Sequence, residues 1–181
     1  MTLPARPAGR PSPRDLLAWL ESHLGTAGAA RVCADLLEAD DPHDRAEELL
    51  FLGGDAGRSV LEDGTSWKPY WARVWGARGL LYVWDDAAAA VVLDRLADEH
   101  WRVAEMCLKV SALRELPCGD DAVRLSHHEL PRVRAVAARA IGACGDVEHL
   151  DAVRDLLDDD EEDVRTAAAR ALERAEARLD V

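Results

Sequence analysis

Apolar and small side chains in the segment 133–141 fall at its first, fourth, fifth, eighth and ninth positions, as Val133, Val136, Ala137, Ala140 and Ile141. That spacing is one face of a helix with 3.6 residues per turn, so the segment predicts an amphipathic α-helix. The pattern returns at 164–172, where VRTAAARAL stands against VRAVAARAI. Fainter copies are anchored at Val103 and Ala72, and the intervals between the four anchors are 31, 30 and 31 residues. At the sixth position beyond each anchor stand Arg78, Lys109, Arg139 and Arg170, and at the eighth Leu80, Ser111, Ile141 and Leu172. Arginine directly follows the anchor as Arg73, Arg134 and Arg165; Ala104 interrupts that column.

A second helix follows in each unit. In VEHLDAVRDLL, Val147, Leu150, Val153 and Leu157 turn to one side. Between the two helices Gly145 suits a left-handed residue that ends one helix, and Asp146 suits the N-cap of the next. Gly119-Asp120 and Gly54-Asp55 repeat that punctuation, and Leu36-Leu37 precedes Leu156-Leu157 by 120 residues, four periods of thirty. At the start, Ser12-Pro13-Arg14-Asp15 places an N-cap serine, a proline at the first helical position and an acid in the first turn. The predicted helix pairs are 13–24 with 28–38, 43–52 with 55–62, 69–83 with 86–97, 101–116 with 120–127 and 131–143 with 147–158, closed by a helix at 162–178. EDGTSWKPY, at 62–70, is the longest insertion.

One helical pair cannot bury its own apolar face, so copies stack and each covers its neighbour. A unit of about thirty residues with an acidic turn, Val-Arg, small residues, a second arginine and a leucine resembles the HEAT-like repeats first grouped with the phycobilisome lyases. The resemblance is strongest over 131–178 and extends over 68–178. It implies an all-α fold: a right-handed α-solenoid of about five HEAT-like helical hairpins plus a closing C-terminal helix, occupying 13–181. Residues 1–12 are expected to form a flexible basic arm. The resemblance also implies that Arg134 and Arg165 each meet an acid of a neighbouring turn. Arg78, Lys109, Arg139 and Arg170 are expected to bridge adjacent units through turn carboxylates, and mutating such residues should lower stability.

Composition narrows the function. The chain has 181 residues and a formal charge of −13, which opposes a polyphosphate partner and excludes nucleic acid as the expected ligand. No apolar run approaches the roughly 20 residues of a spanning helix, so no membrane association is expected. The first fourteen residues hold four prolines, three arginines and no acid, with no signal-like apolar stretch, so the expected location is cytoplasmic. Cys33, Cys107, Cys118 and Cys144 are scattered singly and read as buried thiols.

In solenoids of this kind the second helices line the concave surface that binds. Aligning them through their leucines gives an outward column of Asp35, Asp94, Arg124 and Asp155, flanked by Arg31, His127, Asp151 and Asp158. That column predicts a mainly acidic groove for another protein with a basic surface. The tryptophans form the second candidate. Five of six, Trp67, Trp71, Trp75, Trp84 and Trp101, lie within 35 residues. Trp75 occupies a column filled elsewhere by Met106, Val136 and Ala167, and is expected in the core. Trp71 matches Arg102, Arg132 and Asp163, so it and Trp67 either anchor a partner or pack the long insertion against the helix.

Enzyme signatures are sparse. There is no phosphate loop, dinucleotide fingerprint, nucleophile elbow or H-E-x-x-H. Adjacent His127 and His128 point about 100° apart on a helix and make a poor joint metal site. No catalytic residue, metal or cofactor is expected, and the leading expectation is a non-enzymatic interaction adaptor or regulator of undetermined oligomeric state. The resemblance leaves an alternative, a small-molecule lyase or isomerase like the HEAT-like bilin lyases. A role like that of the HEAT-like DNA glycosylases fits the acidic charge less well.

Overall fold

The computed structural model describes residues 2–62 and 66–181. Among them the regular structure is helical throughout, with no strand. Ten α-helices run in order: α1 (Pro13–Glu38), α2 (Ala46–Gly53), α3 (Asp55–Leu61), α4 (Tyr70–Gly79), α5 (Ala89–Asp94), α6 (Trp101–Arg114), α7 (Gly119–Ser126), α8 (Pro131–Cys144), α9 (Leu150–Asp155) and α10 (Glu162–Leu179). Within α1, Gly25 takes φ 72° and ψ 169°, which breaks the element between the two helices expected at 13–24 and 28–38. Of the insertion at 62–70, residues 63–65 lie outside the described residues.

The thirty-residue period is visible in burial. The anchors Ala72, Val103, Val133 and Val164 are all buried, and so are Gly76, Cys107, Ala137 and Ala168 four positions later. Three residues of each hairpin's first helix therefore repeat as covered, small, then exposed, because Arg78, Arg139 and Arg170 face outward and Lys109 is half-buried. The second helices copy each other in finer detail. Asp86–Ala88 is a 3₁₀ turn before α5 and Arg95–Ala97 a 3₁₀ turn after it, and Val147–His149 and Leu156–Asp158 flank α9 in the same way.

Two compact units divide the chain, Met1–Arg95 and Leu96–Val181, where the repeat pattern led us to expect one domain over 13–181. In the first, α4 packs on α1, α2 pairs with α3, and α5 also lies against α1. Leu20, Val32, Leu36, Leu37, Leu49, Leu80 and Val92 are fully buried there. Residues 2–12, expected as a flexible basic arm, touch this unit at two points. Arg6 Nε donates to the Phe51 carbonyl at 2.8 Å, and Trp19 Nε1 donates to that of Ala5 at 3.2 Å. In the second unit α8 packs against α6, α7, α9 and α10.

Close helix approach explains the small residues. A Cβ on Gly142 of α8 would lie 2.7 Å from the Ala171 Cα and carbonyl oxygen of α10, so only hydrogen fits between these backbones. In the first unit Gly76 of α4 meets the Cys33 carbonyl and the Leu37 amide of α1 at 2.6 Å in the same sense.

The punctuation differs from expectation in one respect. Of Gly54, Gly119 and Gly145, only Gly54 has positive φ, at 57°. Gly145 is extended, with φ −73° and ψ 160°, and Gly119 begins α7. The left-handed residue that ends α6 is Glu115, φ 54°. Gly145 and Gly119 are small for space: added methyls would press on the Ile141 carbonyl at 2.7 Å and on the His149 ring at 2.4 Å. Asp146 does cap the following turn, accepting from Val147 N–H at 2.8 Å, while its own N–H donates to His149 Nδ1 at 2.7 Å. Ser12 caps α1, accepting from Asp15 N–H at 3.2 Å.

Arg134 and Arg165 hold the same place in successive hairpins. Each guanidinium turns back to the residues five and six positions upstream. Arg134 donates to the carbonyls of His128 and Glu129 at 3.0 Å, and Arg165 to those of Asp159 and Asp160 at 2.6 and 2.9 Å. Arg134 also grips Asp159 of the following turn through two bonds, Nε at 2.7 Å and Nη2 at 2.8 Å. The expected acid partner is thus present for Arg134, whereas Arg165 meets backbone carbonyls. Lys109 pairs within its own helix with Glu105 at 2.7 Å, and among the described residues no carboxylate pairs with Arg78, Arg139 or Arg170.

The Arg134 bonds hold the Asp159 carboxyl below the usual carboxylate range. A depressed folded-state pKa adds stability above the unfolded value near ~3.9 and loses it as pH falls through the folded value. Arg134→Ala is therefore expected to lower unfolding free energy by about 2 kcal/mol at neutral pH. In chemical denaturation followed by circular dichroism, the gap from wild type should narrow as pH drops below about 4; a gap independent of pH would contradict the assignment. Gly142→Ala is expected to destabilise by about 1–3 kcal/mol through overpacking, although alanine gains about 1 kcal/mol in helix propensity. A raised Tm would refute the close approach of α8 and α10.

Candidate functional site

Two columns of alanine line a hollow of the first unit. On the second half of α1, Ala27, Ala30 and Ala34 follow one another at helical spacing, and Ala87 and Ala88 of the 3₁₀ turn before α5 and Ala90 of α5 line the other side. Leucine at these places would close the gap; alanine leaves a hollow of about 710 Å³. Asp35, Glu38, Asp85 and Asp94 stand around it, and among the described lining residues Arg31 is the one cation.

These carboxylates are weakly neutralised. Arg31 Nε lies 3.8 Å from Asp35, and the Arg31 side chain is 76% exposed, so the pair is loose and well solvated. Asp85 caps the turn before α5, accepting from Ala87 N–H at 3.0 Å. Arg95 donates to the Glu38 carbonyl and to Asp40, the latter at 2.9 Å. Of the acidic column read from the sequence, Asp35, Asp94 and Arg31 come together here. Glu38 and Asp85 were missed, although Glu38 lies one turn beyond Asp35 and Asp85 immediately precedes an alanine-rich helix, both readable signals.

The remaining members of that column, Arg124, His127 and Asp155, belong to the second unit. Arg124 is tied down, donating to the Leu96 carbonyl at 3.0 Å and to Asp121 at 2.8 Å. His127, Asp155 and Asp158 are exposed, and Asp151 pairs with Arg154 at 2.8 Å.

Trp67 and Trp71 are half-buried and serve packing. Their rings sit 5.3 Å apart, and Trp75 lies 5.6 Å from Trp67 and 6.0 Å from Trp71. Together they cover Leu36, Leu49, Val60 and Ala72. The helix starts only at Tyr70, so Trp67 joins the stripe from the preceding loop. This geometry favours the packing alternative over a presented indole anchor. Gly53 makes room for Trp75, whose ring would meet an added Cβ at 2.7 Å.

A buried carboxylate in the second unit escaped the sequence reading. The Glu105 side chain is only 5% exposed and is held by Lys109 at 2.7 Å and Arg132 at 2.9 Å. Arg132 and Arg102 also lie over the Trp101 ring, at 4.9 and 4.2 Å. Every charge in this cluster has a partner, so it reads as a brace between α6 and α8. His100 and His128 each accept a backbone N–H two residues on, at 3.3 and 3.0 Å. Among the described residues no group of three or more His, Cys, Asp or Glu is placed to hold a metal ion.

The cysteines are not all solitary. Cys33 is fully buried, and burial pushes its thiol up to about 12. Cys118 and Cys144, however, meet with their sulfurs 3.1 Å apart. The contact pushes the Cys118 thiol up, with burial adding to it, and draws the Cys144 thiol down, helped by Arg178 and Arg174.

Comparison with known proteins agrees with the repeat architecture. Residues 122–178, which run from α7 into α10, match the HEAT repeats family, and this supports a HEAT-like repeat family. The chain is also similar to an engineered protein whose crystal structure comes from the Northeast Structural Genomics Consortium. The two are 19% identical, the match covers 92% of this chain and 90% of that chain, and the TM-score is 0.57. At that identity the likeness concerns the fold. No curated protein matches the sequence. Among the described residues no helix is long and apolar enough to cross a membrane.

Proposed function

We propose that this chain is a non-enzymatic HEAT-like repeat protein, an adaptor or regulator that binds a basic segment of another protein in the alanine-walled hollow of the first unit. The observation that carries this reading is the set of Asp35, Glu38, Asp85 and Asp94 around about 710 Å³, with the loosely held Arg31 as the one cation among the described lining residues. Lysine and arginine suit such a place. Their aliphatic stems lie along methyl groups while their heads reach carboxylates at the rim. Complementary charge speeds encounter and selects against acidic competitors. Asp94 is exposed and Asp35 only half-buried, so charge reversal at either leaves the core untouched.

The test is fluorescence anisotropy with a labelled lysine- and arginine-rich peptide against the wild type and the double variant Asp35→Lys, Asp94→Lys. Wild-type affinity should fall as salt rises. The double variant should lose at least about tenfold, equivalent to roughly 1.4 kcal/mol, with Tm little changed. Asp155→Lys in the second unit should bind like wild type. Equal loss with Asp155→Lys would mean attraction by net charge alone, and undiminished binding by the double variant would reject the hollow as the site.

A further inference from the structure

Cys118 is the N-cap residue of α7 and Cys144 the last residue of α8, and these two helices pack on each other. A helical hairpin returns the end of its second helix to the start of its first. Twenty-six residues of sequence separation thereby become a sulfur–sulfur contact of 3.1 Å. We propose that Cys118 and Cys144 form an oxidisable dithiol, a modification site at which a hydroperoxide-class oxidant, hydrogen peroxide in its simplest form, converts two thiols into an intrachain disulfide.

The surroundings assign the two sulfurs different roles. Cys118 is 1% exposed, whereas Cys144 is half-buried and is the sulfur a small oxidant reaches. As a thiol, Cys144 donates to the Ala140 carbonyl at 3.0 Å. Ionisation gives up that bond. It gains the S–H of Cys118 turned toward the anion, and the positive charges of Arg178 and Arg174 nearby. Arg178 is fixed at this place by its bond to the Gly145 carbonyl, one residue past Cys144. The thiolate is the nucleophile in such chemistry, so Cys144 reacts first.

The sequence of steps balances. Cys144 thiolate attacks one peroxide oxygen; an S–O bond forms, the O–O bond breaks, sulfur loses two electrons, and the departing hydroxide takes a proton to become water. The product is a sulfenic acid. Cys118 sulfur then attacks Cys144 sulfur; the S–S bond forms, the S–O bond breaks, and hydroxide leaves with the Cys118 proton as a second water. One peroxide thus oxidises two thiols and yields two waters. The sulfurs must close from 3.1 Å to about 2.05 Å. Cys33 and Cys107 are fully buried, so neither competes in the folded chain.

The test uses the reduced, desalted full chain treated with equimolar hydrogen peroxide, alkylated, and examined by intact mass and peptide mapping. The expected result is the loss of two hydrogens, a linked peptide pair joining residues 118 and 144 within one chain, and reversal by dithiothreitol. Cys33 and Cys107 should be alkylated only after unfolding. Cys118→Ser should stop at a Cys144 sulfenic acid that dimedone captures, and Cys144→Ser should consume no peroxide. The wild-type measurement needs neither variant to fold. Oxidation of Cys144 to sulfinic acid without a link, a link between two chains, or no change under conditions that oxidise free dithiothreitol would each overturn the proposal.

Discussion

A helix whose apolar face is built from alanine, valine and glycine cannot shield that face with side chains, so it must lie almost backbone to backbone against a neighbour. This constraint governs both units. The contact of Gly142 with Ala171 and that of Gly76 with Cys33 and Leu37 are distances that only small residues allow. Apolar burial drives the association, but the close approach decides which helices associate. It also explains why the buried column at 76, 107, 137 and 168 holds glycine, cysteine and alanine throughout.

Helices that close together leave no room for long polar side chains between them, and the repeated arginines separate accordingly. Directly after the anchor a side chain leans back toward the turn that begins its own helix. There Arg134 and Arg165 satisfy carbonyls that the turn leaves without partners, and Arg134 reaches on to Asp159 of the next turn. Five positions further the helix has rotated outward, and Arg78, Arg139 and Arg170 meet solvent. Residue type repeats in both columns for different reasons. One fixes the turn, and the other keeps an alanine-rich helix soluble on its outer side.

Helix order, the break near Gly25, the caps at Ser12 and Asp146 and the period itself were legible, because each depends on local spacing. Distance between segments was not. The sequence marked Asp35 and Asp94 as a column, and although Glu38 and Asp85 carried local signals, the gap left by alanines that brings all four together is a distance between segments. The N-terminal residues read as a loose arm because proline and arginine favour extended, solvated chain; the Phe51 carbonyl that receives Arg6 is 45 residues away. Gly145 and Gly119 read as left-handed residues because glycine commonly serves that purpose, while here it provides clearance for Ile141 and His149. The thiol pair was hidden for the same reason. A spacing of 26 residues carries no chemical signature until two helices fold it back.

Carboxylates are treated differently in the two units, and the difference bears on function. Asp159 and Glu105 are covered and each is gripped by arginine or lysine at 2.7 to 2.9 Å, so their charge is consumed inside the fold. Around the hollow of the first unit the acids stay partly solvated, and among the described lining residues Arg31 is the one, loosely held, cation. On the proposed function, a cationic segment entering the hollow would meet these acids, and the affinity gained and the stability conferred would be two measures of one interaction. Pairing within the fold leaves those charges nothing to offer a ligand, whereas the loosely paired acids around the hollow keep theirs.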